Sequence, residues 1–165
     1  QLLLLSLFAI TAFANFFHVS DMHLNPYYNP VAKPGFPTFC KLATINSQFK
    51  QIEQHVINRK LSPDWARALP QSNYSFGKYG CDTPIQLLNA TLAAMKAKDA
   101  NPDFILIGGD FIGHAMPNSD VSYRVLTVAT AVTDFYFPNT KVIPALGNND
   151  FTSDYRYPVL VLSFF

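Results

Sequence analysis

Three short apolar runs, each closed by a polar turn rich in glycine or aspartate, dominate the pattern of this chain. Residues 15–20 (NFFHVS) are aromatic and β-branched and read as a buried strand that stops at Asp21-Met22-His23. Residues 104–107 (FILI) form a second run, ending in Gly108-Gly109-Asp110, and residues 142–146 a third, ending in Gly147-Asn148-Asn149-Asp150. Between the runs, apolar residues recur at helical spacing. Ile45, Phe49, Ile52 and Val56 do so within 44–60; Ile85, Leu88, Leu92 and Met95 follow Asp82-Thr83-Pro84; Val121, Val125, Val128 and Val132 mark 119–134. Thr83 is expected to cap the second of these helices and Pro84 to fill its first position, where the missing N–H costs nothing. Asn101-Pro102 is expected to end it.

Residues 31–80 are otherwise irregular, punctuated by Pro34-Gly35, Pro37, Pro63 and Pro70, and a stretch this long reads as a functional loop or an insertion. The order is strand, long loop, helix, strand, helix, strand. Strands that are apolar throughout and joined by helical crossovers predict an α/β fold with a parallel sheet covered on both faces. There is no internal repeat and no low-complexity tract.

Composition changes this picture in two places. Twelve Lys+Arg against eleven Asp+Glu leave a net charge of +1 with no basic stripe, which argues against binding a nucleic-acid duplex. The first fourteen residues (QLLLLSLFAITAFA) end in Ala12-Phe13-Ala14, a small-x-small pattern, and read as a secretory signal peptide whose start is truncated. A buried N-terminal strand or helix is the alternative. The run is too short for a transmembrane span, which takes about 20 apolar residues. The only two cysteines, Cys40 and Cys81, have no second Cys or His at ligand spacing, so a disulfide is expected over a metal pair. Asn73-Tyr74-Ser75 and Asn89-Ala90-Thr91 are N-glycosylation sequons. Together these features predict export, to the extracellular space or to a lysosome or vacuole. The apolar end of the chain, 158–165, reads as an element cut from its partner layer or as a non-native end.

The candidate chemistry lies at the carboxyl ends of the three strands, the edge where open α/β sheets bind ligands. Asp21-x-His23, Gly109-Asp110-x-x-x-His114 and Gly147-Asn148-Asn149-Asp150 bring carboxylate, imidazole and amide oxygen together, a donor set suited to a divalent first-row metal. Any one of these motifs is an ordinary turn; it is the order and placement of all three that carries the reading. A generic phosphate-binding α/β module is the competing class, but the chain lacks a Gly-x-Gly-x-x-Gly fingerprint.

Asp-x-His, then Gly-Asp, then Gly-Asn-x-Asp resembles the first half of the calcineurin-like metallophosphoesterase signature. Asp21-Met-His-Leu-Asn-Pro-Tyr-Tyr28, Phe76-Gly-Lys-Tyr-Gly-Cys-Asp-Thr-Pro84 and Pro144-Ala-Leu-Gly-Asn148 are similar to the acid sphingomyelinase-like phosphodiesterases within it. The resemblance spans about residues 15–151. It implies the N-terminal half of a metallophosphoesterase α/β sandwich, in which Asp21 and His23 bind a first metal, Asp110 bridges two and Asn148 binds the second. The metals it implies are a zinc pair, with iron or manganese also compatible, and the nucleophile is a bridging hydroxide. His114 is placed near the phosphate or leaving group as a proton or hydrogen-bond donor, and Cys40–Cys81 ties the long loop to the helix after Pro84.

Where the family usually has Gly-Asn-His this chain has Asn149, an amide that donates hydrogen bonds but is no acid. Gly-Asn-Asn-Asp resembles the vacuolar endopolyphosphatases, so Asn149 is a candidate substrate contact. The substrate is then a phosphorylated small molecule, a lipid headgroup or polyphosphate. The resemblance also calls for later histidines, one after an Asn and two in Gly-His-x-His. The chain has only His18, His23, His55 and His114. His18 is expected in the core and His55 on a solvated helix face. These 165 residues are therefore expected to be a catalytically incomplete piece of such an enzyme.

Overall fold

The computed structural model describes residues 14–62, 65 and 76–151. Strands β1 (Phe16–Val19), β2 (Phe104–Ile107) and β3 (Lys141–Pro144) form a parallel sheet in the order β1-β2-β3. In register, Phe17 lies beside Ile105 and Val142, and His18 beside Leu106 and Ile143. Helices α1 (Ser47–Ile57), α2 (Ile85–Lys98) and α3 (Ser119–Tyr136) lie between the strands in sequence, and a short 3-10 turn, Asn148–Asp150, follows β3.

Strands that add in one direction through right-handed crossovers place both crossover helices on one face. Side chains alternate along each strand, so that face collects Phe17, Val19, Ile105, Ile107 and Val142. Against it pack Leu88 and Leu92 of α2 and Val125, Val128 and Val132 of α3. The opposite face carries Phe16, His18, Phe104, Leu106 and Ile143. Phe16 is 51 % exposed, Ile143 40 %, and Phe16 stacks on Phe104. Coverage of both faces is thus not seen among the described residues, for the topological reason just given. His18, expected in the core, is exposed on the open face.

Asn46 caps α1 by accepting the Gln48 N–H, and Asn118 caps α3 by accepting that of Val121. Helix α2 departs from expectation. Its N-cap position is Pro84, with no side-chain cap, and the helix starts at Ile85. Thr83 is unavailable because its backbone is committed elsewhere: its N–H donates to the His23 carbonyl at 2.9 Å and its own carbonyl accepts the Asn25 N–H at 2.8 Å. Helix α2 ends at Lys98, three residues before Asn101, and α3 runs two residues beyond the expected 134.

The irregular stretch contributes to the core. Phe49 and Ile52 of α1 are buried, and Glu53 pairs with Arg124 of α3 through two hydrogen bonds of 2.5 and 2.7 Å. That contact raises the Arg124 pKa. The Gly35 N–H donates to the Gly80 carbonyl at 2.6 Å, the Asn29 N–H to that of Cys40 at 2.8 Å, and Cys40 and Cys81 are disulfide-bonded as expected. His55 is half-buried on α1.

The disulfide closes a loop of 41 residues. Loop-closure entropy then predicts that Cys40→Ser with Cys81→Ser destabilises the fold by about 4 kcal/mol, measured as a shift in urea unfolding free energy. A change under about 1 kcal/mol would show the loop is held by its other contacts.

Candidate metal centre

The sheet ends before the site begins. Past Val19 and Ile107 the two chains stay side by side: the N–H groups of Asp21, His23 and Leu24 donate to the carbonyls of Gly109, Asp110 and Phe111 at 3.1, 2.8 and 2.8 Å. Met22 and Leu24 turn into the core, which sends Asp21 and His23 the other way. Asp21, His23 and Asp110 all lie in the left-handed region, with φ of 56°, 41° and 53°. Non-glycine residues seldom adopt it, and such conformations gather where a side chain must be aimed.

The third loop locks onto the second through carboxylates. Asp150 accepts the N–H groups of Asp110 (2.8 Å), Gly147 (2.9 Å) and Ile112 (3.2 Å), and Asp110 Oδ1 accepts the Asn149 N–H at 2.9 Å. Burial pushes the Asp150 carboxyl above the usual carboxylate range, opposed by those backbone donors. The loops meet so closely that a Cβ on Gly109 (φ +98°) would lie 2.4 Å from the Gly147 nitrogen.

Three donors converge. The ligand atoms of Asp21, His23 and Asp110 lie within 4.8 Å of one another, and His23 Nε2 is 3.6 Å from Asp21 Oδ1 and 3.7 Å from Asp110 Oδ2. These spacings are too long for hydrogen bonds. They lie a few tenths of an ångström beyond the edge of a coordination polyhedron, roughly 3.0–3.4 Å for metal–ligand bonds of about 2.1 Å. The Asp110 side chain is 13 % exposed and that of Asp21 65 %. A hydrogen bond from Ser20 holds the Asp21 carboxyl below its usual pKa, with His23 adding to the effect. His23 Nδ1 and Asn148 Nδ2 are buried without hydrogen-bond partners. Two carboxylates and an imidazole with no proton shared among them fit a divalent first-row cation. Asn148 opens the 3-10 turn, and its neighbour Asn149 is bonded to Asp110, so the expected fourth ligand rides on the same interlocked loops.

His114 stands beside the cluster. Its ring stacks on His23 with centroids 4.5 Å apart and planes 2° from parallel, and on Phe39 at 4.4 Å. The sequence left one participant without a role. Buried Asp82 accepts the His114 backbone N–H at 2.8 Å and contacts its ring Nδ1 at 2.7 Å. The available signal was its place in Cys81-Asp82-Thr83-Pro84, a motif with no ordinary turn to explain it.

Asn149 is 3 % exposed, its Oδ1 buried and unpartnered. Of the sequons, Asn73 lies outside the described residues, and Asn89 sits half-buried on α2, where its Oδ1 accepts the Tyr136 hydroxyl. The N-terminal run 1–13 and the apolar end 158–165 also lie outside the described residues.

Comparison with known proteins places this geometry. The calcineurin-like phosphoesterase family model matches residues 14–163. The sphingomyelinase phosphodiesterase D of Dictyostelium discoideum is 35 % identical over 94 % of this chain and 34 % of its own length. The mouse acid sphingomyelinase-like phosphodiesterase 3b is 35 % identical over 87 % of this chain and 27 % of its own length. A human cyclic GMP-AMP phosphodiesterase is 27 % identical over 90 % and 28 %. The chain thus spans between about a quarter and a third of the length of these curated relatives. With the family model's match covering most of the sequence, the chain belongs to the calcineurin-like phosphoesterases.

Proposed function

We propose that the full-length protein is an exported, metal-dependent phosphodiesterase of the acid sphingomyelinase-like branch, hydrolysing phosphodiester or phosphoanhydride bonds. The observation that carries this is the convergence of Asp21, His23 and Asp110 donor atoms within 4.8 Å at the end of a parallel sheet. Asp21, His23 and Asp110 would hold a divalent ion and Asn148 would contribute to a second, with zinc as the first candidate and iron or manganese admitted by the donors. When bound, such a pair neutralises charge on the phosphoryl oxygens and makes water a nucleophile near neutral pH.

The protein's own residues do the remainder. Asp110 keeps one oxygen on the Asn149 N–H and turns the other toward His23, so its orientation does not depend on the ion. With Asp82 on Nδ1, His114 has Nε2 left to act. As the bond from phosphorus to the leaving oxygen breaks and that to the water oxygen forms, a His114 ring protonated on both nitrogens passes its Nε2 proton to the departing oxygen and is left as the Nδ1–H tautomer bonded to Asp82. Export is supported by the Cys40–Cys81 disulfide together with the N-terminal apolar run and the sequons.

An endopolyphosphatase-like hydrolase is the second reading. It is favoured by Asn149, which replaces an acid-capable imidazole with a buried amide. Assay of the full-length protein at acid pH against bis-(4-nitrophenyl) phosphate, ATP, sphingomyelin and polyphosphate, with metal content measured alongside, separates the two. Two metal equivalents and diester turnover are expected. Polyphosphate cleavage alone would select the second reading. Absence of both metal and turnover would overturn both.

A further inference from the structure

Two covalently joined peptides close around one imidazole. Phe39, Cys40 and Lys41 lie on one side of the disulfide, Cys81 and Asp82 on the other. Asp82 spans the His114 main chain and ring, one carboxylate oxygen on the N–H at 2.8 Å and the other on Nδ1 at 2.7 Å. Lys41 Nζ reaches the His114 carbonyl and, at 3.0 Å, that of Ala115, itself in a left-handed conformation. Phe39 covers one face of the ring and His23 the other. Gly113 leaves the carboxylate its place, since a Cβ there would stand 2.7 Å from Asp82 Oδ2. Among the described residues, Asp82, Lys41 and Phe39, which hold this turn and ring together with His23, are each adjacent to Cys40 or Cys81.

We propose that Asp82, Phe39 and Lys41 are positioning residues for His114, and that the Cys40–Cys81 disulfide is the joint that holds them on it. Asp82 accepts a hydrogen bond from Nδ1–H and so fixes the direction of Nε2 and the tautomer that remains once Nε2 has given up its proton. Lys41 stops the 113–115 turn from rotating, and Phe39 stops the ring from swinging off His23. The disulfide therefore acts on turnover as well as on unfolding. A staple placed only for stability would have no reason to flank these three side chains. The catalytic consequence rests on His114 serving the leaving group as proposed above; the clamp itself does not.

The test uses the full-length, metal-loaded enzyme with two diesters. Nitrophenolate leaves bis-(4-nitrophenyl) phosphate without needing a proton, whereas phenolate leaving diphenyl phosphate needs one more. Asp82→Asn should lower kcat for diphenyl phosphate about 10–100-fold, the scale of an outer-shell partner. It should change kcat for the nitrophenyl diester about threefold or less, with KM and metal content retained. Once His114→Ala is present, Asp82→Asn should have no further effect. Cys40→Ala with Cys81→Ala, assayed on the folded fraction, should reproduce the same selective loss. Independently of turnover, an imidazole nitrogen spectrum of the histidine-labelled protein should show a protected His114 Nδ1–H that disappears in Asp82→Asn. Equal losses on both substrates, additivity with His114→Ala, loss of metal, or an unchanged Nδ1–H signal would each overturn the proposal. A silent enzyme with that signal present would sink the phosphodiesterase reading and leave the clamp standing.

Discussion

Asp110→Asn in the full-length protein is expected to lower turnover of the working substrate by about 10³-fold, roughly 4 kcal/mol of barrier, without unfolding the chain. The substitution is close to isosteric, and an amide oxygen still accepts the Asn149 N–H that Asp110 Oδ1 accepts at 2.9 Å. Asparagine also tolerates the left-handed backbone found there, φ 53°. What it removes is one negative charge and the second oxygen, the one facing His23 Nε2 at 3.7 Å. An amide nitrogen cannot bind a cation. Metal content should therefore fall while the far-ultraviolet circular dichroism and melting temperature of the metal-free protein stay near those of the unsubstituted chain. Wild-type rates in this variant would refute the assignment of Asp110 as a metal ligand.

Gly147→Ala should do comparable damage by a different route. A Cβ there would lie 2.1 Å from Asp110 Oδ1 and 2.5 Å from the Asp110 nitrogen. Neither atom can retreat cheaply: the carboxylate accepts the Asn149 N–H, and the Asp110 N–H donates to Asp150 at 2.8 Å. The two loops must part, at a cost of roughly 2–4 kcal/mol, and the ligand leaves its place. Gly35→Ala is the control. Unlike Gly147, whose φ is −93°, it has positive φ, +76°, but nothing lies within 4 Å of its Cβ, so only backbone strain of about 1–2 kcal/mol is expected. Thermal unfolding and metal content of the two variants decide the matter. If Gly147→Ala binds metal and melts like the control, the interlocking of the loops is not what holds Asp110.

Much of this was legible from residue types because it depends on local pattern. The runs 15–20 and 104–107 gave strands because continuous apolar stretches of that length suit a buried sheet, and α1 and α3 followed from apolar residues at helical spacing. Asp21, His23 and Asp110 could be picked out as neighbours because strand ends are where topology alone brings distant residues together. The failures share a cause. Thr83 has a good capping side chain, but its backbone pairs with residues 23–25, a contact invisible in sequence. His18 is flanked by apolar residues, yet strand alternation turns it to the uncovered face. Asp82 looked like the polar start of a helix because its partner, His114, is 32 residues away.

The left-handed backbone at Asp21, His23 and Asp110 bears on how this centre can drift over generations. A side chain carried on ordinary extended backbone can be exchanged for many others by small rotamer changes. Here only glycine, asparagine, aspartate and, less readily, histidine fit the main chain without strain. Of these, all but glycine can also donate to a cation. The mutational neighbourhood of each position is therefore narrow but rich in donors, and a lineage would drift most readily by exchanging one oxygen or nitrogen donor for another on the same loops.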